Sequence, residues 1–295
     1  MDLTSLAVFV AVAEHGGFSA AAQRLHLTQP AVSKRIAQLE AELDVRLLDR
    51  LGRQVVPTEA GQLLLGRARR LLTEASDTRR ALAALGDGVA GTLRIATSHH
   101  IGLHHLPPLL KRYAQQFPQV ELDIAFVDSE QAYARVLDGA AELAVTTLAA
   151  HTAAPLLAQP LWEDPLCFMV ASDHPLAARK RVSLHDLAAH PAVLPDPGTF
   201  THKLIAGLFQ QHGLDLQVRL RTNYLETIRM LVGVGMAWSA LPASLLDAQV
   251  VALPVSGAHL QRQLGWVRHG GRTLSRAADA FAGLLQASAG SHGKA

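Results

Sequence analysis

The segment from Phe18 to Val56 constrains the fold most, because turn signals divide it into short amphipathic stretches. It reads FSAAAQRLHLTQPAVSKRIAQLEAELDVRLLDRLGRQVV. We expect a small-residue helix that is capped by Ser19 and ends near Leu25, followed by a turn over residues 26–28. Thr28 is a favourable N-cap for a second helix, and Pro30 is tolerated in the first turn because no N–H is needed there. The segment therefore predicts two helices joined by a tight turn.

The second of these helices is predicted to have one buried face and one polar face. Val32, Ile36, Leu39 and Leu43 recur at helical spacing and are expected to face inward. The other face and the turn before it carry short hydrogen-bonding and cationic side chains, which suit the major groove of DNA. The predicted DNA-contacting residues of this region are Thr28, Gln29, Pro30, Ser33, Lys34, Arg35 and Gln38.

The charge pattern favours one localised DNA-binding surface. No acidic residue occurs between Glu14 and Glu40, whereas Arg24, Lys34 and Arg35 all lie in that interval. The whole chain carries 27 Lys+Arg against 25 Asp+Glu, a formal net charge of +2, so it is not a polycation. Affinity for phosphates must then be concentrated on one face. The alternative is that Lys34 and Arg35 are ordinary solvent-exposed residues of a helix surface and contact no DNA.

A basic hairpin is expected next. Two short apolar runs, Leu47-Leu48 and Val55-Val56, flank a polar segment with a plausible turn at Gly52. Arg50 and Arg53 would lie on this wing and reach phosphates or the minor groove. An amphipathic helix over residues 3–13 is expected to pack beneath the other two, which completes a winged helix-turn-helix.

A long helix from Thr58 to Leu85 is predicted after the wing, because Pro57 ends the hairpin and the next proline is Pro107. Its apolar stripe comprises Leu64, Ala68, Leu71, Leu72, Ala75, Leu82 and Leu85. The small domain before it cannot cover so long a stripe. We therefore expect the helix to pair with the same helix of a second copy, giving a dimer through residues 58–85.

The first 61 residues resemble the N-terminal domain of LysR-type transcriptional regulators. The matching stretches are LAVFVAVAEHGGFSAAAQRLHLTQPAVSKRIAQLEAELDVRLLDR, from Leu6 to Arg50, and LGRQVVPTEAG, from Leu51 to Gly61. Leu48 stands where the family usually has Phe, and Pro57 where Leu is more common. The resemblance implies a DNA-binding regulator that forms dimers through its linker helix and assembles into tetramers. It also implies a coinducer-binding domain of the periplasmic-binding-protein type.

The rest of the chain is predicted to be an α/β domain with two lobes. Strands over residues 93–97, 120–127 and 143–147 alternate with helices over 101–116 and 131–137, an order typical of a parallel sheet. A second such set begins near residue 166, and a last strand and helix return to the first lobe. The predicted domains are 1–57 (winged helix-turn-helix), 58–90 (linker helix and hinge) and 91–295 (effector-binding). Within the last, lobe I covers about 91–162 and 268–288, and lobe II about 163–267.

Polar residues at the strand ends predict a ligand cleft between the lobes. Ligands of open α/β sheets sit where strand carboxyl ends meet helix N-termini, and free N–H groups there favour anions. A small anion or carboxylate coinducer is therefore expected, although Glu130 and Asp196 lie nearby and would repel it if they faced the cleft. The predicted effector-binding residues are Ser98, His99, His100, Ser129, Thr146, Thr147, Thr199, Phe200, Thr201 and Tyr224.

The histidines His99, His100, His104 and His105 raise a second possibility. His100 and His104 are four residues apart, a spacing that places two imidazoles on one helix face toward a metal. A metal-responsive regulator using the His99–His105 cluster is therefore the alternative. We assign no metal ligand and expect no cofactor besides the coinducer.

Other classes of protein fit the sequence less well. An enzyme is not expected, because the chain has no Gly-x-Ser-x-Gly and no P-loop, and Gly233-Val234-Gly235 is too short for a dinucleotide fingerprint. A solute-binding protein without a DNA role would leave the first 90 residues unexplained. No signal peptide or membrane-spanning segment is recognised, and the single Cys167 fits a reducing cytoplasm. The expected partners are promoter DNA, further copies of the chain and RNA polymerase, with no membrane.

Overall fold

The computed structural model describes residues 1–51, 54–83 and 88–289. The chain divides into two compact units, Met1–Gly86 and Asp87–Ala295. Arg53 of the predicted wing and Leu85 of the predicted stripe lie outside the described residues.

The first unit contains the predicted helix-turn-helix and wing. Its elements are α1 (Leu3–His15), α2 (Phe18–Arg24), α3 (Gln29–Leu43), β1 (Leu48–Leu51), β2 (Gln54–Pro57) and α4 (Glu59–Ala83). Helix α2 begins one residue before Ser19, and its N-cap is Gly17, which makes no side-chain bond. The expected cap by Ser19 is therefore wrong, because Phe18 packs on the core of this unit as the first residue of the helix.

One hydrophobic core joins the three N-terminal helices to the wing and to the start of α4. Phe9, Leu39 and Leu47 are among its most fully buried side chains. Val32, Ile36 and Leu39 of α3 are buried as predicted, whereas Leu43 is only half-buried near the end of the helix. Strands β1 and β2 pair antiparallel from Leu48↔Pro57 to Leu51↔Gln54. Pro57 is therefore the last residue of the hairpin and pairs with Leu48.

Helix α4 starts against the wing and leaves part of its apolar stripe uncovered. The Thr58 hydroxyl accepts the N–H of Gly61 at 3.0 Å, as expected of a cap. A Cβ on Gly61 would lie 2.0 Å from the Leu47 carbonyl oxygen, so only glycine fits there. Ala68 is fully buried, but Leu71 and Leu82 remain 45% and 63% exposed. The first unit alone thus does not cover this face.

The second unit is a mixed α/β domain. In chain order it contains β3 (Gly91–Thr97), α5 (His99–His104), α6 (Pro107–Gln116), β4 (Val120–Phe126), α7 (Ser129–Asp138), β5 (Leu143–Thr147), β6 (Leu156–Ala171), α8 (Leu184–Ala188), β7 (Ala192–Leu194), α9 (Phe200–Gln211), β8 (Val218–Arg221), α10 (Leu225–Gly233), β9 (Ser239–Pro242), β10 (Val250–Ala252), β11 (Leu260–His269) and α11 (Arg276–Ala289). One sheet has the strand order β10-β6-β11-β5-β3-β4, with β9 also paired to β6. Strands β7 and β8 form a separate parallel pair.

Two long strands connect the lobes. Strands β6 and β11 run antiparallel from Leu260↔Leu166 to His269↔Leu156. Strand β11 also pairs antiparallel with β5, whereas β6 also pairs antiparallel with β9 and β10. Lobe I is the group of elements around β3, β4 and β5, and lobe II the group around β7, β8 and β9.

Each lobe has its own core, and the last helix returns to lobe I. Phe281 of α11 packs edge-on against Tyr113 of α6, with ring centroids 5.2 Å apart. The Tyr113 hydroxyl donates to the Ala277 carbonyl at 2.8 Å, and burial raises the pKa of this phenol to about 12. In lobe II, Trp238 stacks on Phe209 and donates its indole N–H to the Leu187 carbonyl at 2.8 Å.

The helix predicted over residues 101–116 is wrong. The structure has two helices there, since Pro107 and Pro108 begin a new one and Pro107 cannot donate the N–H that would continue α5. Sequence periodicity also missed α8 and β10 and found only the last third of β6. None of the described helices combines the length and apolar character needed to cross a bilayer.

Candidate nucleic-acid interface and interlobe cleft

The outer face of α3 carries the residues predicted to read DNA. The Thr28 hydroxyl caps the helix by accepting the Ala31 N–H at 3.4 Å, and Pro30 lies in the first turn. Gln29, Lys34 and Gln38 are exposed, whereas Ser33 and Arg35 are half-buried. One face of α3 therefore packs on the core while the other remains available.

Backbone contacts set the angle between α2 and α3. The Leu27 N–H donates to the Ala22 carbonyl at 2.9 Å, and His26 adopts a left-handed φ of 53°. This is the tight turn expected over residues 26–28. The turn fixes α3 against α2 by local hydrogen bonds.

The wing is tied directly to α3. A carboxylate oxygen of Glu40 accepts the Leu47 N–H at 2.7 Å and the Leu48 N–H at 3.2 Å. On β1, the Arg50 guanidinium lies 4.9 Å from the centroid of the Phe18 ring. Arg50 and Ser33 line the same groove of about 250 Å³. Hence the wing presents an exposed cation beside the polar face of α3.

A cleft lies between the lobes of the second unit. It encloses a cavity of about 50 Å³ lined by Ser98, His99, His100, Asp128, Ser129, Glu130, Thr147, Pro195, Thr199, Phe200, Thr201, Asn223, Leu225 and Arg262. Eight of the ten predicted effector-binding residues are in this set. An adjoining cavity of about 920 Å³ shares Thr147, Phe200 and Arg262 with it.

Two predicted residues do not line the cleft. Thr146 is fully buried and its hydroxyl has no hydrogen-bond partner among the described residues. Neighbouring strand residues point to opposite faces, so β5 cannot direct both Thr146 and Thr147 into one cavity. Tyr224 is half-exposed and packs edge-on against His99, with centroids 4.6 Å apart.

Carboxylates of lobe I contact the backbone and side chains of lobe II across the cleft. A carboxylate oxygen of Glu130 accepts the N–H of Phe200, the first residue of α9, at 2.5 Å. The Asn223 side-chain amide donates to Asp128 at 2.8 Å and to Asp196 at 3.2 Å. Glu130 therefore does face the cleft, and its carboxylate occupies the N-terminus of α9.

A buried arginine that the sequence did not single out lies at the same cleft. The Arg262 guanidinium binds Asp164 through both Nε, at 2.9 Å, and Nη2. Its Nη1 donates to the Thr201 hydroxyl at 3.0 Å. Both charged residues are only 6% exposed. Sequence signals miss this pair because its members are 98 positions apart on β6 and β11.

The histidine pair of α5 meets a third residue that the sequence also missed. His100 Nδ1 and His104 Nε2 each lie 3.1 Å from the same oxygen of Glu226, on α10 of lobe II. The hydrogen bond from His100 lowers the pKa of Glu226 to about 2, although partial burial opposes the shift. The Glu226 carboxylate is therefore ionised at neutral pH. His99 and His105 are not part of this cluster.

Comparison with known families agrees with both units. Residues 3–62 match the family described as bacterial regulatory helix-turn-helix protein, lysR family. Residues 86–290, more than half of the chain, match the LysR substrate binding domain. The chain belongs to the LysR family of transcriptional regulators. It is a DNA-binding transcription factor with an effector-binding domain, and not an enzyme. A solute-binding protein without a DNA role is therefore the wrong interpretation.

Relatives cover nearly the full length of this LysR-family chain. The transcriptional regulator CbbR of Rhodospirillum rubrum is 32% identical over 292 residues, which are 97% of this chain and 96% of CbbR. The dual regulator OxyR of Escherichia coli is 30% identical, over 99% of this chain and 97% of OxyR. A regulator from Azotobacter vinelandii is 67% identical over 37% of this chain and 75% of its own length.

Solved structures show the same fold. CbnR in complex with its target DNA has a TM-score of 0.68 at 24% identity, covering 98% of this chain and 100% of that one. A full-length OxyR variant from Pseudomonas aeruginosa has a TM-score of 0.69 at 24% identity, covering 98% and 94%. These similarities confirm a winged helix-turn-helix followed by a two-lobed α/β domain.

Some relatives are named hydrogen peroxide-inducible genes activators. The single cysteine of this LysR-family chain, Cys167, lies half-buried on β6 and packs beside the lobe II core. Burial raises the pKa of its thiol, which lowers the fraction of reactive thiolate. Its surroundings are those of a packed core thiol.

Proposed function

We propose that this LysR-family regulator binds promoter DNA under the control of a small carboxylate or inorganic oxyanion held in the interlobe cleft. The observation that supports it best is the bond from the Phe200 N–H to the Glu130 carboxylate. The first turn of the twelve-residue helix α9 already holds a carboxylate there. A coinducer of the same chemistry would compete with Glu130 for these donors.

The remaining lining suits the acidic group of a small molecule. The hydroxyls of Ser98, Thr147 and Thr201 are hydrogen-bond donors, and the guanidinium of Arg262, which is paired with Asp164, lines the same cavity. The cavity of about 50 Å³ is much smaller than the roughly 300–1,000 Å³ of typical ligand pockets, so it suits an acidic group rather than a whole metabolite. A larger coinducer would extend its remaining atoms into the adjoining 920 Å³ cavity.

Displacement of the Glu130 carboxylate would change how the lobes are joined. Glu130 and Asp128 are lobe I residues bonded to lobe II, so a ligand that replaces these bonds shifts the balance between lobe arrangements. In a cytoplasmic assembly, dimers formed through α4 would pair into a tetramer and place recognition helices in successive major grooves. The altered subunit arrangement would then change DNA bending and contact with RNA polymerase.

The DNA half of the proposal is tested with one duplex, selected by the wild-type chain from a random-sequence pool. Lys34→Ala should weaken binding by about 5–150-fold, because one base contact contributes about 1–3 kcal/mol. Lys111→Ala is the charge-matched control, since Lys111 is exposed on α6 of the other unit. Equal losses in both variants, or none in Lys34→Ala, would contradict the assignment of the α3 face.

The ligand half is tested by thermal unfolding of the full chain with chelator and a panel of inorganic oxyanions and small carboxylates. An anion at a hundred times its dissociation constant adds about 2.7 kcal/mol, which should raise the unfolding temperature by roughly 5 °C. Thr147→Val should abolish this shift because it removes a cleft hydroxyl while keeping the side-chain shape. Thr146→Val is the matched control, since that hydroxyl is buried away from the cavity. A panel that shifts nothing, or shifts Thr147→Val fully, would rule out the anion cleft.

A further inference from the structure

The geometry of His100, His104 and Glu226 points to a divalent transition-metal site that joins the two lobes. We propose that these three side chains bind Zn²⁺, or a neighbouring first-row ion, through His100 Nδ1, His104 Nε2 and a Glu226 carboxylate oxygen. The site shares His100 with the lining of the anion cleft, but its other two ligands, His104 and Glu226, lie outside that lining, and the proposal does not require a bound anion.

The spacing of the ligand atoms carries the proposal. Zn–N and Zn–O bonds of about 2.0–2.1 Å in a tetrahedron place neighbouring ligand atoms about 3.3 Å apart. The two histidine nitrogens each lie 3.1 Å from Glu226 Oε1, and all three ligand atoms lie within 4.8 Å of one another. The two histidine nitrogens therefore need to approach each other by no more than about 1.5 Å to surround an ion.

The donor set selects the class of ion. Two imidazoles and one carboxylate suit Zn²⁺, Ni²⁺, Cu²⁺ or Co²⁺, whereas Mg²⁺ and Ca²⁺ prefer oxygen ligands. Among the described residues, no other group of three histidine, cysteine or acidic side chains has this geometry. Three protein ligands leave a fourth tetrahedral position for water or an added anion.

The three proposed ligands are buried enough to be held in place and exposed enough for an ion to reach them. The His100 side chain is 3% exposed, which fixes its ring, whereas His104 and Glu226 are 38% and 33% exposed and leave a path for the ion. Both histidines lie on α5 of lobe I and Glu226 in the first turn of α10 of lobe II. A bound ion would therefore hold the lobes together more firmly than the hydrogen bonds seen here.

The test is a titration of the chelator-treated full chain with Co²⁺, a coloured substitute for Zn²⁺, with no anion ligand added. We expect one Co²⁺ per chain with the visible absorption of a tetrahedral site, and its loss when Zn²⁺ is added. Glu226→Gln should weaken binding by more than about 10-fold, since loss of even an outer-shell partner costs roughly 10–100-fold. His104→Asn should also weaken Co²⁺ binding by more than about 10-fold. This variant replaces the more exposed of the two histidines and provides the test if Glu226→Gln fails to fold.

The matched control is His190→Asn. His190 and His174 form another histidine pair, with ring centroids 5.2 Å apart, outside the three-residue cluster. This variant should keep the tetrahedral Co²⁺ signal and affinity. The proposal is overturned if the wild-type chain shows no such signal, or if both ligand variants bind Co²⁺ as the wild type does. Thr147→Val should retain the metal, so failure of this site and failure of the anion cleft are distinguishable.

Discussion

At the scale of single residues, the effector domain depends on charged side chains buried in specific pairs. Arg262 and Asp164 are both almost fully buried, and Thr201 takes a further guanidinium N–H. Burying two charges costs desolvation free energy that only their close mutual contact offsets. Loss of one partner leaves the other charge uncompensated.

Replacing one member of this pair should be costly, and replacing both much less so. Asp164→Leu should lower the free energy of unfolding by about 3–5 kcal/mol, whereas Asp164→Leu with Arg262→Met should recover most of that loss. Urea unfolding of the full chain measures both. The surface pair of Arg94 and Asp123, 3.6 Å apart, is the control, and Arg94→Met should cost about 1 kcal/mol or less. A double variant as unstable as Asp164→Leu would show that the pair itself stabilises the fold.

Cys167 should react slowly in the folded protein. Burial raises the pKa of its thiol, and each unit of increase lowers the thiolate fraction tenfold well below the pKa. At pH 8 a disulfide reagent should therefore modify the native chain more slowly than the chain in denaturant. The native rate should rise as the pH is raised through 9. A native rate equal to the denatured one would instead indicate an activated thiol.

At the scale of elements, the crossing strands set the geometry of the cleft. The pairing of β6 and β11 shifts register between Leu264 and Gly265. A Cβ on Gly265 would lie 2.3 Å from the Gln159 carbonyl oxygen and 2.8 Å from a Leu148 methyl group. Glycine is therefore required where the two backbones approach.

Two glycine substitutions should have opposite effects on stability. Gly265→Ala should lower the free energy of unfolding by about 1–3 kcal/mol, because a backbone atom must move to admit the methyl group. Gly283→Ala in α11 meets nothing within 4 Å and should raise stability by roughly 0.5–1 kcal/mol through better helix propensity. Urea midpoints of the two variants provide the comparison. A neutral Gly265→Ala would mean that the strands separate easily at this point.

At the scale of the whole molecule, the DNA-reading face and the ligand cleft belong to different compact units. Helix α4 is the last described element of the first unit and presents Leu71 and Leu82 to solvent. These two positions are eleven residues apart, so they lie within about 20° of each other around the helix. A shared apolar face of this kind is typical of a helix that pairs with a second copy.

Charge placed on this face should disrupt assembly. Leu71→Lys should lower the sedimentation mass of the wild-type assembly toward that of a monomer, because a lysine would be buried in the helix pair. Gln62→Lys adds the same charge at an exposed position about 180° from Leu71 around the axis of α4, and should leave the mass unchanged. If Leu71→Lys retains the wild-type mass, assembly does not use this face of α4.

The sequence by itself determined the winged helix-turn-helix, because its signals are local. The cap at Thr28, the proline at position 30 and the apolar spacing of α3 all act within a few turns of one helix. Strand ends likewise identified most of the cleft lining, since Ser98 directly follows β3, Ser129 begins the helix after β4 and Thr147 ends β5. Local hydrogen bonding and periodicity do not require knowledge of distant contacts.

Only the tertiary structure decided which charges meet in the effector domain. Glu130 reaches Phe200 across 70 positions, Arg262 reaches Asp164 across 98, and His100 reaches Glu226 across 126. It also decided that Thr147 rather than Thr146 lines the cleft, and that the α5 histidines are completed by a carboxylate from lobe II. Such contacts depend on how the strands and lobes pack against each other. The spacing of residues along the chain does not specify this packing, because folding of the whole domain brings the residues together.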